Sequence, residues 1–263
     1  MRGAPEGRSR VIEVERDEGV ALVYLDRPKV NALAPELVQA LCACWDELAQ
    51  DPGVGAVVLG SRRPGVFSAG FDLKALHGLE PPAFGAFIAS FTALYRKLFA
   101  GPLPSVAAVN GHAVAGGAIL ALACDRRVFA RGEGRFGLTE VDLGLPLPPG
   151  VLHLMRYAAG ERGALEAGLF GRLYLPAEAR AAGFADGLAS PEALIQAARE
   201  EARALAAKPR LALRAIRAGL RAPTLRVLEE ADARVAAEFG AWWFSPDATA
   251  RRQAQVEKLS ARR

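Results

Sequence analysis

Val109-Asn110-Gly111-His112-Ala113-Val114-Ala115-Gly116-Gly117-Ala118 reads as the end of a strand, a glycine-rich turn and the start of a small-residue helix. A second stretch is built alike: Val66-Phe67-Ser68-Ala69-Gly70-Phe71-Asp72-Leu73-Lys74 sets small residues at a strand end and opens a helix near Asp72. Both place backbone N–H groups at or beside a helix N-terminus, where they lack intrahelical acceptors and carry the positive end of the helix dipole. Two such groups converging on one point form an oxyanion hole. A strand, glycine turn and helix is also an ordinary α/β joint, so the two stretches alone leave both readings open.

Outward from these stretches, strand and helix alternate. Val11–Val14 and Val20–Leu25 read as strands joined by a turn at Asp17–Gly19. A helix starts at Pro35, with Leu37, Leu41, Trp45 and Leu48 as its buried stripe, and ends at Asp51-Pro52-Gly53. Val54–Gly60, Ser105–Asn110 and Arg127–Ala130 are further strands, and Pro82–Phe99 and Gly116–Cys124 further helices. Through about residue 190 this is an α/β chain with crossover connections. From Pro191 onward the pattern is helical, over Pro191–Ala207, Pro209–Leu220, Pro223–Phe239 and Asp247–Arg263. The expected division is a core over 1–190 and a helical region over 191–263. Apolar positions of that tail, such as Leu194, Leu205, Leu211, Leu225 and Leu228, are expected to dock on the core or on another subunit.

Composition narrows the function. The chain has 263 residues, 51% apolar and 24% charged, which suits one large domain with a real core. No apolar run approaches the ~20 residues of a membrane span, and the basic, polar Met1–Arg10 is unlike a secretory signal. The net charge is +4, and only five of the 33 basic residues are lysine, spread along the chain except near its end. That is no nucleic-acid stripe, whereas a modest surplus suits a small anionic ligand. Cys42, Cys44 and Cys124 are too few and too irregularly spaced for disulfides or zinc, and a reducing cytoplasm is the expected home. His77, His112 and His153 show no metal spacing and read as surface or packing residues. No metal site is expected. Gly132-Glu133-Gly134-Arg135-Phe136-Gly137 matches a dinucleotide fingerprint in letters, but the prolines at 146, 148 and 149 leave no room for the helix that must open at its third glycine.

With these residues in place, the chain resembles the crotonase superfamily, the enoyl-CoA hydratases and isomerases. The resemblance runs from about Val20 to Lys258. Its markers are Arg27-Pro28-Lys29-Val30-Asn31-Ala32-Leu33, Phe67–Leu73, Ala108-Val109-Asn110-Gly111, Ala115-Gly116-Gly117, Cys124-Asp125 and Phe136-Gly137-Leu138-Thr139-Glu140. It implies a spiral of ββα turns with a C-terminal helical trimerisation region, and hence a homotrimer or homohexamer. It implies acyl-CoA thioesters as ligands, with no separate cofactor because coenzyme A is part of the substrate. Phe71 and Gly116 stand at the family's two oxyanion donors, within a wall that includes Ala69, Gly70, Asp72, Leu73 and Gly117. Lys29 and the backbone near Ala32 and Leu33 are expected at the nucleotide end. Lys74 and Lys258 are placed to reach its phosphates, Lys258 those of a neighbouring subunit's ligand.

The resemblance also bears on the reaction. Hydratases of this family use two glutamates. Glu140 stands at the second position, and Ile119 replaces the first. An aspartate that other members carry eight residues beyond Glu140 is Pro148 here. One carboxylate suffices to take a proton from C2 of a 3-enoyl-CoA and return it at C4. The pattern therefore leans to a Δ3,Δ2-enoyl-CoA isomerase. Hydration, another acyl-CoA reaction and silent acyl-CoA binding are the alternatives. Asp142, close by, matches no catalytic position of the family and reads as a solvated turn residue. Leu145–Gly150, with its three prolines, is expected to border the acyl pocket.

Overall fold

The computed structural model describes residues 11–261, so the reading of Met1–Arg10 lies outside it. A hairpin of β1 (Ile12–Asp17) and β2 (Val20–Leu25) opens the chain, and α1 (Pro35–Gln50) follows. Three ββα turns come next. The first holds β3 (Ala56–Ser61), β4 (Gly65–Ser68), α2 (Leu73–His77) and α3 (Pro81–Ala100). The second holds β5 (Ser105–Val109), β6 (Gly111–Val114) and α4 (Gly116–Ala123). The third holds β7 (Arg126–Ala130), β8 (Phe136–Gly137), a 3₁₀ turn at Glu140–Leu143, α5 (Pro149–Phe170) and α6 (Pro176–Ala181). The chain closes with β9 (Gly187–Ala189), α7 (Leu194–Ala206), α8 (Arg210–Trp243) and α9 (Pro246–Ala261).

Each turn adds one strand to each of two sheets. The larger has the order β1-β2-β3-β5-β7-β9, parallel except for the first pair, and the smaller has the parallel order β4-β6-β8. This is the expected crotonase spiral. Strands buried on both faces read as unbroken apolar runs, which is why Val20–Leu25 carries no polar residue. Its alternate residues divide between two cores. Ala21, Val23 and Leu25 face the large core under α1 and α3, while Val20, Leu22 and Tyr24 face Leu194, Ala198 and Ala202 of α7. The period of two along the strand meets a four-residue period along the helix.

Three expectations change. Pro209–Leu220 and Pro223–Phe239 are one helix, α8, which runs through Pro223. A proline inside a helix costs about 3 kcal/mol, and buried pins on both sides of it hold the helix together. Arg217 donates to both carboxylate oxygens of Asp125 at 2.7 and 2.9 Å, and Arg221 donates to Asp125 at 2.7 Å and to the Phe99 carbonyl. On the far side Thr224 and Leu228 are buried. Second, α5 escaped the sequence reading, because Gly160 inside it is non-helical (φ 70°, ψ 178°) and interrupts its periodicity. Third, the five tail leucines expected to dock on the core or on another subunit divide, and Leu194, Leu205, Leu225 and Leu228 dock within the chain, as the first alternative had it. Only Leu211 stands free, 83% exposed, on the same helix as the exposed Ile216 and Leu220.

Candidate active site

A cavity of about 820 Å³ opens between the ends of the small sheet, α3, the 3₁₀ turn and the C-terminal helices. Its construction starts at Asn31, which is wholly buried with φ +48°, a region Asn tolerates better than most residues. Its side chain accepts from the Arg27 N–H at 2.9 Å and donates to Ser61 Oγ at 2.7 Å and to the Phe67 carbonyl at 2.9 Å. Ser68 Oγ donates back to the Asn31 carbonyl at 2.8 Å. This network ties the Arg27–Leu33 segment to the end of β4.

The tie sets the direction of the Phe71 amide. Leu33 N donates to the Gly70 carbonyl at 2.7 Å and Asp72 N donates to the Leu33 carbonyl at 3.0 Å, a single parallel bridge between Leu33 and Phe71. In such a bridge the flanking residues make the bonds, so the N–H of Phe71 itself points the opposite way. Gly116 lies on that side. As the first residue of α4 it has no intrahelical acceptor for its N–H. Ala115 before it holds a strained φ of +51° and ψ of −124°, and its own N–H is tied to the Gly137 carbonyl at 2.8 Å. Strain of this kind collects at functional sites. Neither the Phe71 nor the Gly116 N–H bonds to a described residue.

The two backbones meet closely. Gly70, at φ +83°, lies so near that a methyl group on it would fall 2.8 Å from the Val114 carbonyl and 3.2 Å from Gly116 N. One on Gly116 would fall 3.2 Å from the Phe71 ring. That ring is held edge-on by Phe87 and Phe91, each at 5.0 Å between centroids.

Glu140 enters from the third turn of the spiral, just after β8. It lines the cavity, is 8% exposed, and its Oε2 has no partner among the described residues. Burial raises its carboxyl to about 7, against a small lowering by its own backbone N–H. Such a carboxyl both takes and returns a proton near neutrality. Ile119, one turn into α4, lines the same cavity.

The other candidates fall into groups. Lys29, Ala32, Ala69, Leu73 and Lys74 line the cavity, as do Leu145 and Pro148 of the proline-rich segment. Asp72 lines it too, but its carboxylate caps α2 through the N–H groups of Lys74 and Ala75 and pairs with Arg27 at 2.9 Å. Leu33, Gly70 and Gly116 stand directly behind the wall, and Gly117 is buried against Ser68. Asp142 is exposed where it lines the cavity. Lys258 is exposed on α9, one turn beyond Gln255. Gln255 lines the cavity, so α9 borders the site of its own chain. Sequence reasoning missed the aromatic wall of Phe91, Phe239 and Trp243, which depends on how α3 and α8 pack. It also missed His112, which lines the cavity while its Nδ1 accepts the Arg135 N–H at 3.3 Å. No metal-binding cluster occurs among the described residues.

The sequence profile of the enoyl-CoA hydratase/isomerase family matches residues 15–261. A Thermus thermophilus protein described as a putative enoyl-CoA hydratase is 42% identical over 74% of this chain and 76% of its own length. Mitochondrial enoyl-CoA delta isomerase 1 of rat is 33% identical over 70% of this chain, and that of human is 35% identical over 72%. The matched regions span 66% and 63% of those two proteins, so the chain covers a little under two thirds of their length. Among solved structures, human mitochondrial Δ3-Δ2-enoyl-CoA isomerase superposes with a TM-score of 0.92 at 30% identity, over 97% of this chain and all of that one. Two glycine-rich joints side by side at the edge of a cavity, in a chain matched almost end to end, thus place it in the enoyl-CoA hydratase/isomerase family, with the crotonase fold.

Proposed function

We propose that the chain is a Δ3,Δ2-enoyl-CoA isomerase. The observation that carries the reading is the pair Glu140 and Ile119: a buried carboxyl tuned to about neutrality, with an aliphatic side chain at the family's other acid position. The thioester carbonyl of a 3-enoyl-CoA accepts from the Phe71 and Gly116 N–H groups. Glu140 removes a proton from C2, and the resulting enolate oxygen is stabilised by the two donors, each worth about 2.7–4 kcal/mol in comparable sites. The same carboxyl then delivers the proton to C4, giving the 2-trans-enoyl-CoA. One acid serves both carbons and no water takes part, which suits an apolar residue at 119. Lys29 and Lys74 neutralise the nucleotide phosphates of coenzyme A, and Lys258 on α9 is placed to add to them. No further cofactor or metal is required by this chemistry.

The exposed Leu211, Ile216 and Leu220 of α8 support assembly into a trimer or a dimer of trimers. Three free thiols suit a reducing cytoplasm.

Hydration is the second reading, favoured by the 42% identity to the Thermus thermophilus relative. One assay separates the two. A 3-enoyl-CoA is supplied and the absorbance of the conjugated thioester followed; then a 2-enoyl-CoA is supplied in water. Appearance in the first case supports the isomerase. Loss in the second without appearance in the first replaces it with a hydratase. No change in either, with the ligand bound, identifies a silent acyl-CoA binder.

A further inference from the structure

Arg252 of α9 is 3% exposed, and no carboxylate pairs with it among the described residues. A buried cation without a counter-ion is costly, and burial lowers this guanidinium to about 10. What it does contact is Trp243. The guanidinium carbon lies 3.8 Å from the Trp243 ring centroid, Nη1 donates to the Trp243 carbonyl, and Nη2 donates to Thr249 Oγ1 at 3.4 Å. Trp243 is 1% exposed, lines the cavity, and stacks on Phe84 at 4.5 Å between centroids. One residue of α9 therefore fixes one wall residue of the cavity from behind.

The place of that wall is set by α3. The Phe71 ring, at the reacting end, touches Phe87 and Phe91. Trp243 touches Phe84, about one turn further toward the start of α3. Between them the lining is Ile88, Val235 and Phe239, all apolar. In the opposite direction along α3 the lining gains two polar side chains, Thr92 and Tyr95, beside apolar Val151. A hydrocarbon tail favours the first direction, because each buried methylene is stabilising only where it meets no polar group.

From this geometry we infer that Trp243 is the end wall of the acyl pocket and sets the length of tail the site accepts, with Arg252 as the positioning residue that holds its ring. The inference rests on the acyl-CoA reading of the site but not on the choice between isomerase and hydratase.

Saturated straight-chain acyl-CoAs of four to sixteen carbons, titrated calorimetrically into the full-length protein, test it. In the unaltered protein affinity rises about fourfold per added carbon, the worth of one buried methylene, up to a break and then levels off. In Trp243→Ala the break moves to longer chains. Trp243→Phe, a milder change that keeps the aromatic stack, moves it less. Arg252→Ala moves the break in the same direction, and Arg252→Lys, which keeps a cation over the ring, restores it. A break that stays put in both Trp243 variants overturns the end wall. Arg252→Ala behaving as the unaltered protein overturns the positioning role. Failure of the unaltered protein to bind any acyl-CoA overturns the functional reading itself, a different result from either.

Discussion

Replacing Glu140 with glutamine keeps the shape of the side chain and removes the ionisable proton, so it tests two consequences of one buried carboxyl. The first is catalytic. General acid–base catalysis contributes about 10²–10⁴-fold, and a group that moves both protons belongs at the upper end, so isomerisation of a 3-enoyl-CoA should fall by about 10⁴-fold. Binding of the thioester should persist, because the backbone donors are untouched. The second is thermodynamic. Burial raises the carboxyl from 4.5 to about 7, so between these values the folded chain holds a proton that the unfolded chain has released. The stabilising contribution of the protonated form is therefore complete below about pH 4.5 and is lost as pH rises through about 7. The full swing is about 3 kcal/mol. Glu140→Gln should remove that swing. Its stability relative to the unaltered protein, from urea unfolding at pH 5 and pH 8.5, should improve by about 2.5 kcal/mol between the two, whatever constant offset the unpaired amide adds. In the unaltered enzyme kcat/KM should rise with pH through about 7 as the base ionises. Equal isomerisation rates in the two forms refute the role of Glu140, and parallel stability curves refute its buried, proton-holding state.

Other outcomes follow from single features. Ile119→Glu restores the family's paired acids and should raise hydration of 2-enoyl-CoA from near zero, measured as loss of the conjugated absorbance; the apolar surroundings will hold the new carboxyl above its usual range and limit the gain. Gly70→Ala puts a methyl group 2.8 Å from the Val114 carbonyl at a φ of +83°, so it should lower kcat by about 10²-fold, the scale of one lost oxyanion donor, with little change in KM. Asp125→Ala leaves Arg217 and Arg221 buried without their carboxylate and should cost about 3–5 kcal/mol in denaturant unfolding. Ile216→Glu with Leu220→Glu should give a monomer in light scattering at micromolar concentration, where the proposed assembly predicts a trimer or hexamer for the unaltered chain.

The α/β alternation was legible because its strands are short apolar runs and its turns are marked by glycine, whereas the spiral followed from the family resemblance. Val20–Leu25, Pro35–Gln50 and Gly116–Ala123 all emerge at or near their observed bounds. What escaped depends on contacts between distant segments. Pro223 signals a helix end to any local reading, yet a carboxylate at position 125 holds the helix through it. Leu194 and Leu228 read as docking positions, but which surface covers them, the sheet or the large core, is set by distant segments. In the site, the proposed backbone donors are visible as glycine-rich motifs, whereas the aromatic wall is not, because nothing in the order of residues says that Trp243 will lie against Phe84. Asp72 shows the converse: it sits inside a binding motif, and its carboxylate is taken up by the cap of α2 and by Arg27.

The pairing of β4 with β6 has a metrical consequence. Phe71 follows the end of β4 by three residues, and Gly116 follows the end of β6 by two, so the two proposed donors leave neighbouring strands whose ordinary spacing is about 4.8 Å. An oxygen about 2.9 Å from each nitrogen bridges a spacing of that size with both bonds at ordinary length. The ruler is the hydrogen-bond ladder of the sheet, which no side chain can stretch. Substitutions on the surrounding walls are then free to change the shape of the cavity, while the two proposed donors stay on the same strands.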